Sequence, residues 1–250
     1  MAKMMRNALI LFKKETTYGT DAVPSGDAHP LANALLCKGI SPQPLSADFV
    51  DRDLIRPYFG ASEQLLASVH SEIEFEVELA GSGTAGVVPK WGALLQACHF
   101  VEEVTEDTNV IYKPTTTEGS SVTIHYYLDG LLHKMTGCRG TVSLSLSPKG
   151  ISTMKFKFLG FYNEPVDASN PVSVDYSGFQ IPKVVNTLNT PTWSLHGYTG
   201  NLSELSIDLA NTVTYRELIG ASSVVITDRK PTGTAKFELL NVATKNWSKT

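Results

Sequence analysis

Residues 72 to 79 read Glu-Ile-Glu-Phe-Glu-Val-Glu-Leu, an order with a strict period of two. In a strand that period places Glu72, Glu74, Glu76 and Glu78 on one face and Ile73, Phe75, Val77 and Leu79 on the other. Parallel strands are covered on both faces and read as continuous Val, Ile and Leu. A strand with one wet face and one dry face therefore predicts an antiparallel sheet.

That inference governs the six residues that follow. Gly81 to Gly86 spell Gly-Ser-Gly-Thr-Ala-Gly, a literal G-x-G-x-x-G. The dinucleotide fingerprint needs a buried parallel strand before it and a helix opened directly by the glycines. Here Pro89 stands between the glycines and the expected helix, Pro89 to Phe100, and no βαβ unit follows. Glu102 and Glu103 are available as ribose partners, but they do not restore the missing context. The segment is expected to link a strand to a short helix, with no cofactor.

The same alternation recurs downstream. "SVTIHYYLDGLLHKM" carries Asp129-Gly130 between two apolar arms, a strong hairpin signal. Gly137 and Gly140 are read as bracketing another turn before "TVSLSLS", and "SPKG" turns the chain into "STMKFKFLGFY". Four consecutive antiparallel strands are expected, the last with Lys155 and Lys157 on one face and Met154, Phe156 and Phe158 on the other. Residues 163 to 190 are rich in Pro, Asn, Ser and Asp and read as a connector. Strand signals resume in "TWSLHGY", "LSELSIDLAN", "VTYRELI", "SVVITDR" and "TAKFELL".

The chemistry-bearing residues are sparse. His125 and His133 sit on opposite arms of the Asp129-Gly130 hairpin, but its register sets them diagonally, and adjacent Cys98 and His99 cannot chelate from one helix face. No metal, nucleophile motif or phosphate loop is expected, and nothing points to an enzyme. Cys37, Cys98 and Cys138 are odd in number with no C-x-x-C spacing and read as buried reduced thiols. A net charge of -4 argues against a protein that grips nucleic acid. The apolar run Ala8 to Phe12 is too short for a signal segment, so a soluble protein without membrane contact is expected. The glutamate ladder has two readings: a solvated face neutralised by cross-strand lysines, or an acidic surface that repels something negative.

Comparing the two ends exposes a repeat. Arg52-Asp53-Leu54-Ile55 matches Arg216-Glu217-Leu218-Ile219, and Gly60-Ala61-Ser62 matches Gly220-Ala221-Ser222 once Arg56 to Phe59 are treated as an insertion. The alignment then runs without a gap to Glu78-Leu79 against Glu238-Leu239, and Trp91 has a rough counterpart in Trp247. This predicts tandem duplication of a β module. The expected division is a first module over 1–162, a connector over 163–190 and a partial second module over 191–250.

Five blocks, taken in order, resemble the major tail tube proteins of long-tailed, siphovirus-type bacteriophages. They are "KKETTYGTDAVP", "ELAGSGTAGVVPKWGALLQACHF", "VIYKPTTTEGSSVTIHYYLDG", "GCRGTVSLSLSPKGISTMKFKFLGFY" and "DLANTVTYRELIGASSVVITDRKPTGTAKFEL". The resemblance implies a mainly β fold, antiparallel β-sandwich modules with one short flanking helix. It implies inner sheets joined sideways into a ring, rings stacked into a DNA channel, and no catalytic residues. The implied partners are further copies of the chain, a tape measure protein, tail-end proteins and DNA in transit. The implied setting is the virion tail, assembled in the host bacterial cytoplasm. The short second copy departs from the family pattern. The mixed tip Arg52, Asp53, Arg56, Pro57, Tyr58 and Phe59 is expected to form ring contacts, and Glu72, Glu74, Glu76 and Glu78 to face lumen or solvent. Two modules per chain predict a trimeric ring with pseudo-sixfold symmetry, against a hexamer for one module. The competing functions are a tube of a contractile injection apparatus and a carbohydrate-binding β-sandwich; the latter needs aromatic residues at loop tips.

Overall fold

A computed structural model describes residues 7–23, 31–117, 119–195, 197–238 and 241. Among these residues the fold is mainly β and antiparallel, with one short α-helix. Its spine is β4 (Gln64–Glu78), in which buried Ile73, Phe75 and Val77 alternate with half-exposed glutamates. On one side β4 pairs with β3 (Lys38–Asp51), and on the other with β9 (Thr153–Tyr162). Beyond β9 lie β8 (Leu131–Leu146), β7 (Val122–Leu128), β1 (Ala8–Lys14) and β2 (Ala34–Leu35). Phe75, Phe156 and Phe158 stack with ring centroids 5.9 Å apart at the centre of the core. Helix α1 (Gly92–Ala97) closes that core with fully buried Leu94, and a separate hairpin follows it, β5 (Phe100–Thr105) and β6 (Asn109–Pro114).

In β7 every residue from Val122 to Tyr127 is buried. Ile124 and Tyr126 enter the main core, while Leu9, Leu11, Tyr127 and Leu132 form a second cluster on the opposite face. The connector supplies the cover: Ala168, Val174 and Tyr176 pack on that cluster. It begins with β10 (Val166–Asp167), which pairs with Leu131 and Leu132, and reaches Val184, bridged to Ile151.

The expected turn at Gly137 and Gly140 is not a turn. β8 runs straight through both, so 121–160 holds three strands rather than four. The register slips here against both β7 and β9, and Gly137 takes φ +61°, the left-handed value that a bulge assigns to glycine. The bulge aims the Gly137 N–H at the buried carboxylate of Glu15, 2.7 Å away. The other donors to Glu15 are the Gly19 N–H at 2.9 Å, the Ser121 hydroxyl at 2.5 Å and the Thr123 hydroxyl at 2.9 Å.

After the connector, the described residues of "TWSLHGY" include a bridge between Leu195 and Tyr198. β11 (Leu202–Asp208) then pairs with β8 and with β14 (Thr232–Phe237), which extends the main ten-stranded sheet. β12 (Asn211–Leu218) and β13 (Ala221–Arg229) form a hairpin of their own. Its base is pinned where Asn211 Nδ2 donates to the Cys98 and Gly140 carbonyls, and Arg229 to Asn211 Oδ1 and the His99 and Thr115 carbonyls. Its middle is held by buried Arg139, which donates to the Val224 carbonyl at 2.9 Å and lies over the Tyr18 ring. The later end of the sequence repeat, Leu239 and Trp247, lies outside the described residues.

Candidate functional site

The pleat of β4 and its register with β9 decide what the glutamate ladder meets. Glu74 stands opposite Lys157, and Glu76 opposite Lys155. Lys155 Nζ reaches Glu74 at 2.8 Å, and Lys157 Nζ reaches Glu72 at 3.1 Å and Glu74 at 3.6 Å. The Lys155 hydrogen bond, with Lys157 beside it, holds Glu74 below the usual carboxylate range despite partial desolvation. The bond from Glu74 raises Lys155, and that from Glu72 raises Lys157. Each strand beyond continues the polar face: Lys38, Ser41 and Gln43 on β3, opposite Glu76, Glu74 and Glu72, and Thr141, Ser143 and Ser145 on β8. At the far end of the ladder His70 meets Glu72 at 3.4 Å and stacks on Tyr215 of the β12–β13 hairpin.

The other candidate, Arg52 to Phe59, caps an arm. β3 and β4 continue paired beyond the end of β9 and close through a tip at residues 52–63. Arg52 pairs with Glu63 at 2.8 Å across its base. Phe49, Val50, Leu65 and Leu66 are exposed along the arm, and Ile55 and Phe59 project fully from the tip. Phe49 stands opposite Leu66 and Val50 opposite Leu65, so neighbouring pairs put apolar surface on both faces of the ribbon. Exposure on that scale marks an interaction surface. The matching segment Arg216 to Ile219 also falls on a hairpin tip, where Ile219 is fully exposed. The two sites are separate: the arm leaves the sheet where the ladder begins.

The glycine segment runs irregularly from β4 to α1 and is fastened by Trp91 Nε1, which donates to the Ala80 carbonyl at 2.8 Å. Trp193 packs against Tyr198 and Phe237, and Trp247 lies outside the described residues. The structure places His125 opposite Lys134 and His133 opposite Tyr126. Among the described residues, no three His, Cys, Asp or Glu side chains converge on a metal-sized site, and no helix is long and apolar enough to cross a membrane. Sequence reasoning missed Glu15, Arg139, Asn211 and Arg229, whose partners lie up to 130 residues away.

These features define a structural β-subunit with one wet sheet face and a projecting apolar arm. The chain belongs to the phage tail tube protein family, whose model matches residues 5–249. Members of that family are structural proteins of the virion tail and self-assemble into a tube. A comparison with curated proteins finds no match.

Proposed function

We propose that this subunit builds a tail of the long-tailed, siphovirus type, that its ladder face lines the DNA channel, and that the β3–β4 tip makes the contact between rings. The observation that carries the channel assignment is the pairing of Lys155 and Lys157 to Glu72 and Glu74 on a face that the neighbouring strands continue with Ser, Thr and Gln and with Lys38 opposite Glu76. Sliding DNA is retarded by every phosphate that a free cation neutralises, with an affinity that depends on salt. Lysines already bound to carboxylates withhold that contact. Subunits assemble in the host cytoplasm around a tape measure protein and between tail-end proteins.

Ring number follows from how many sandwiches a chain contains. A trimer with pseudo-sixfold symmetry needs two equivalent modules in each chain. Among the described residues, β11 and β14 join the main sheet and β12–β13 leans on it, an arrangement that supports six chains per ring. The match to a tail tube family does not favour a carbohydrate-binding role or a contractile apparatus, although Tyr58 and Phe59 are exposed aromatic residues at the arm tip.

Electron cryomicroscopy of tubes grown from the purified protein tests these assignments. The expected map shows Glu72, Glu74, Glu76 and Glu78 facing the lumen in rings of six. A ladder on the outer surface overturns the channel assignment, and three chains per ring restores the duplicated-module reading. Deleting Arg56 to Phe59 is expected to leave a folded subunit that polymerises poorly; normal tubes from that deletion reject the arm contact.

A further inference from the structure

The β12–β13 hairpin and the β3–β4 arm share one strand register. In β12, Arg216 pairs with Ser223, Tyr215 with Val224 and Thr214 with Val225. On the arm the Arg52 N–H donates to the Glu63 carbonyl at 2.9 Å, Asp51 pairs with Gln64 and Val50 with Leu65. Both ladders then slip at the same step, between Thr212 and Val213 on β12 and between Asp48 and Phe49 on β3. A hairpin forms without such a bulge, so its recurrence at one matched step ties the two ribbons together more firmly than the sequence repeat does. The insertion Arg56 to Phe59 falls wholly within the longer tip.

The two tips also present the same side chains. Leu54 and Leu218 are 49% and 50% exposed, and Ile55 and Ile219 stand entirely in solvent. The flanks differ: the arm is free on both faces, whereas the second hairpin lies on the sheet with Val224 buried and Tyr215 stacked on His70. Its direction follows from what it touches. The base donates from Asn211 to the carbonyl of Gly140, opposite Phe158, while Tyr215 meets Phe161 and His70, a facing pair nearer the arm. The hairpin therefore rises toward the arm end of the sheet. Leu218 lies about 10 Å of strand beyond Tyr215, and the arm runs about 20 Å from His70 to Gln64 before its own tip begins. Ile219 does not serve the turn. Gly220, at φ +89°, supplies the left-handed residue, and turn positions otherwise favour Pro, Asn, Asp and Ser. Ile219 shares with Ile55 its neighbours in sequence, its place on the ladder and its exposure.

We propose that the β12–β13 tip, through Leu218 and Ile219, is a second and shorter contact element that binds another copy of this chain in the adjoining ring. The inference rests on the β3–β4 tip being a contact between copies, and extends that role to a hairpin that does not project from the sheet. Ile219→Asn places a residue that suits the turn, so the circular dichroism spectrum and melting temperature are expected to hold while tube yield falls about fivefold or more. Leu218→Ser/Ile219→Asn is expected to fall further. A benzophenone maleimide on Ile219→Cys is expected to cross-link two chains when assembled tubes are irradiated, and none when dilute subunits are; labelled parent protein is the blank. Normal tube yield from both variants overturns the proposal, as does cross-linking confined to one chain. The Arg56 to Phe59 deletion keeps the two readings apart. If it fails to polymerise while Ile219→Asn forms normal tubes, the second tip is rejected and the arm stands; the reverse result rejects the arm and leaves the β12–β13 tip as the contact.

Discussion

Replacing Glu15 by Gln tests how far a single buried carboxylate organises this fold. Glu15 is 7% exposed, and its two oxygens accept four hydrogen bonds. The donors come from three places: the turn at Gly19, Ser121 and Thr123 around the start of β7, and the Gly137 bulge in β8. A glutamine keeps one acceptor oxygen and turns an NH2 group on the donors at the other. A hydroxyl rotates to accept from it, but the backbone N–H of Gly19 or Gly137 has no such freedom and is left unsatisfied. One orphaned buried donor, together with loss of charge from the surviving bonds, costs about 2–5 kcal/mol. For a chain of this size that corresponds to a fall in melting temperature of roughly 5–15 °C. Thermal melts followed by near-ultraviolet circular dichroism, with urea titrations beside them, read the effect directly. Glu15→Ala, which removes the acceptor from all four donors, is expected to fall at least as far. A Glu15→Gln protein melting within about 2 °C of the parent, less than 1 kcal/mol by that scaling, would refute the hub.

Gly140→Ala places a Cβ 2.3 Å from the Lys157 carbonyl oxygen and 2.6 Å from the Phe158 ring, so overpacking of about 1–3 kcal/mol or more is expected in calorimetry. Arg229→Ala removes the bonds to Asn211, His99 and Thr115, and is expected to speed hydrogen exchange in β12 and β13 while β4 and β9 stay protected. Burial lowers the His125 pKa more than neighbouring Asp21 raises it. Below the ordinary value of 6.5 the unfolded chain therefore binds a proton before the folded one, and His125 makes stability decline as pH falls. Urea midpoints at pH 7.5 and 5.5 are expected to differ less in His125→Asn than in the parent; equal differences would reject the assignment.

The sequence revealed β4 because one of its faces is wet, and a wet face forces alternation. It concealed the character of β7 for the opposite reason. Thr123 and His125 are polar, yet both are buried, with the Ala22 N–H donating to the Thr123 hydroxyl and Asp21 against His125. Gly137 looked like a turn because glycine serves turns and bulges alike; only the distant Glu15 distinguishes them. The ladder and its lysines were legible together, since both obey a local period of two. Arg139 and Arg229 obey no local period, and their partners are carbonyls, which leave no mark on composition. The arm tip announced itself by mixing charge with aromatic residues around Pro57.

The connector also measures the subunit. Its two bridges, Val166 with Leu132 and Val184 with Ile151, are separated along β8 and β9 by roughly 45 Å of strand. The backbone between Val166 and Val184 reaches about 60 Å when fully drawn out. It is therefore a tether with about four residues of slack. Insertions can bulge into solvent and leave both anchorages in place, whereas a deletion longer than the slack must pull one of them out. Tolerance to changes in length is one-sided, and the connector sets a ceiling on how far its two anchorages can stand apart.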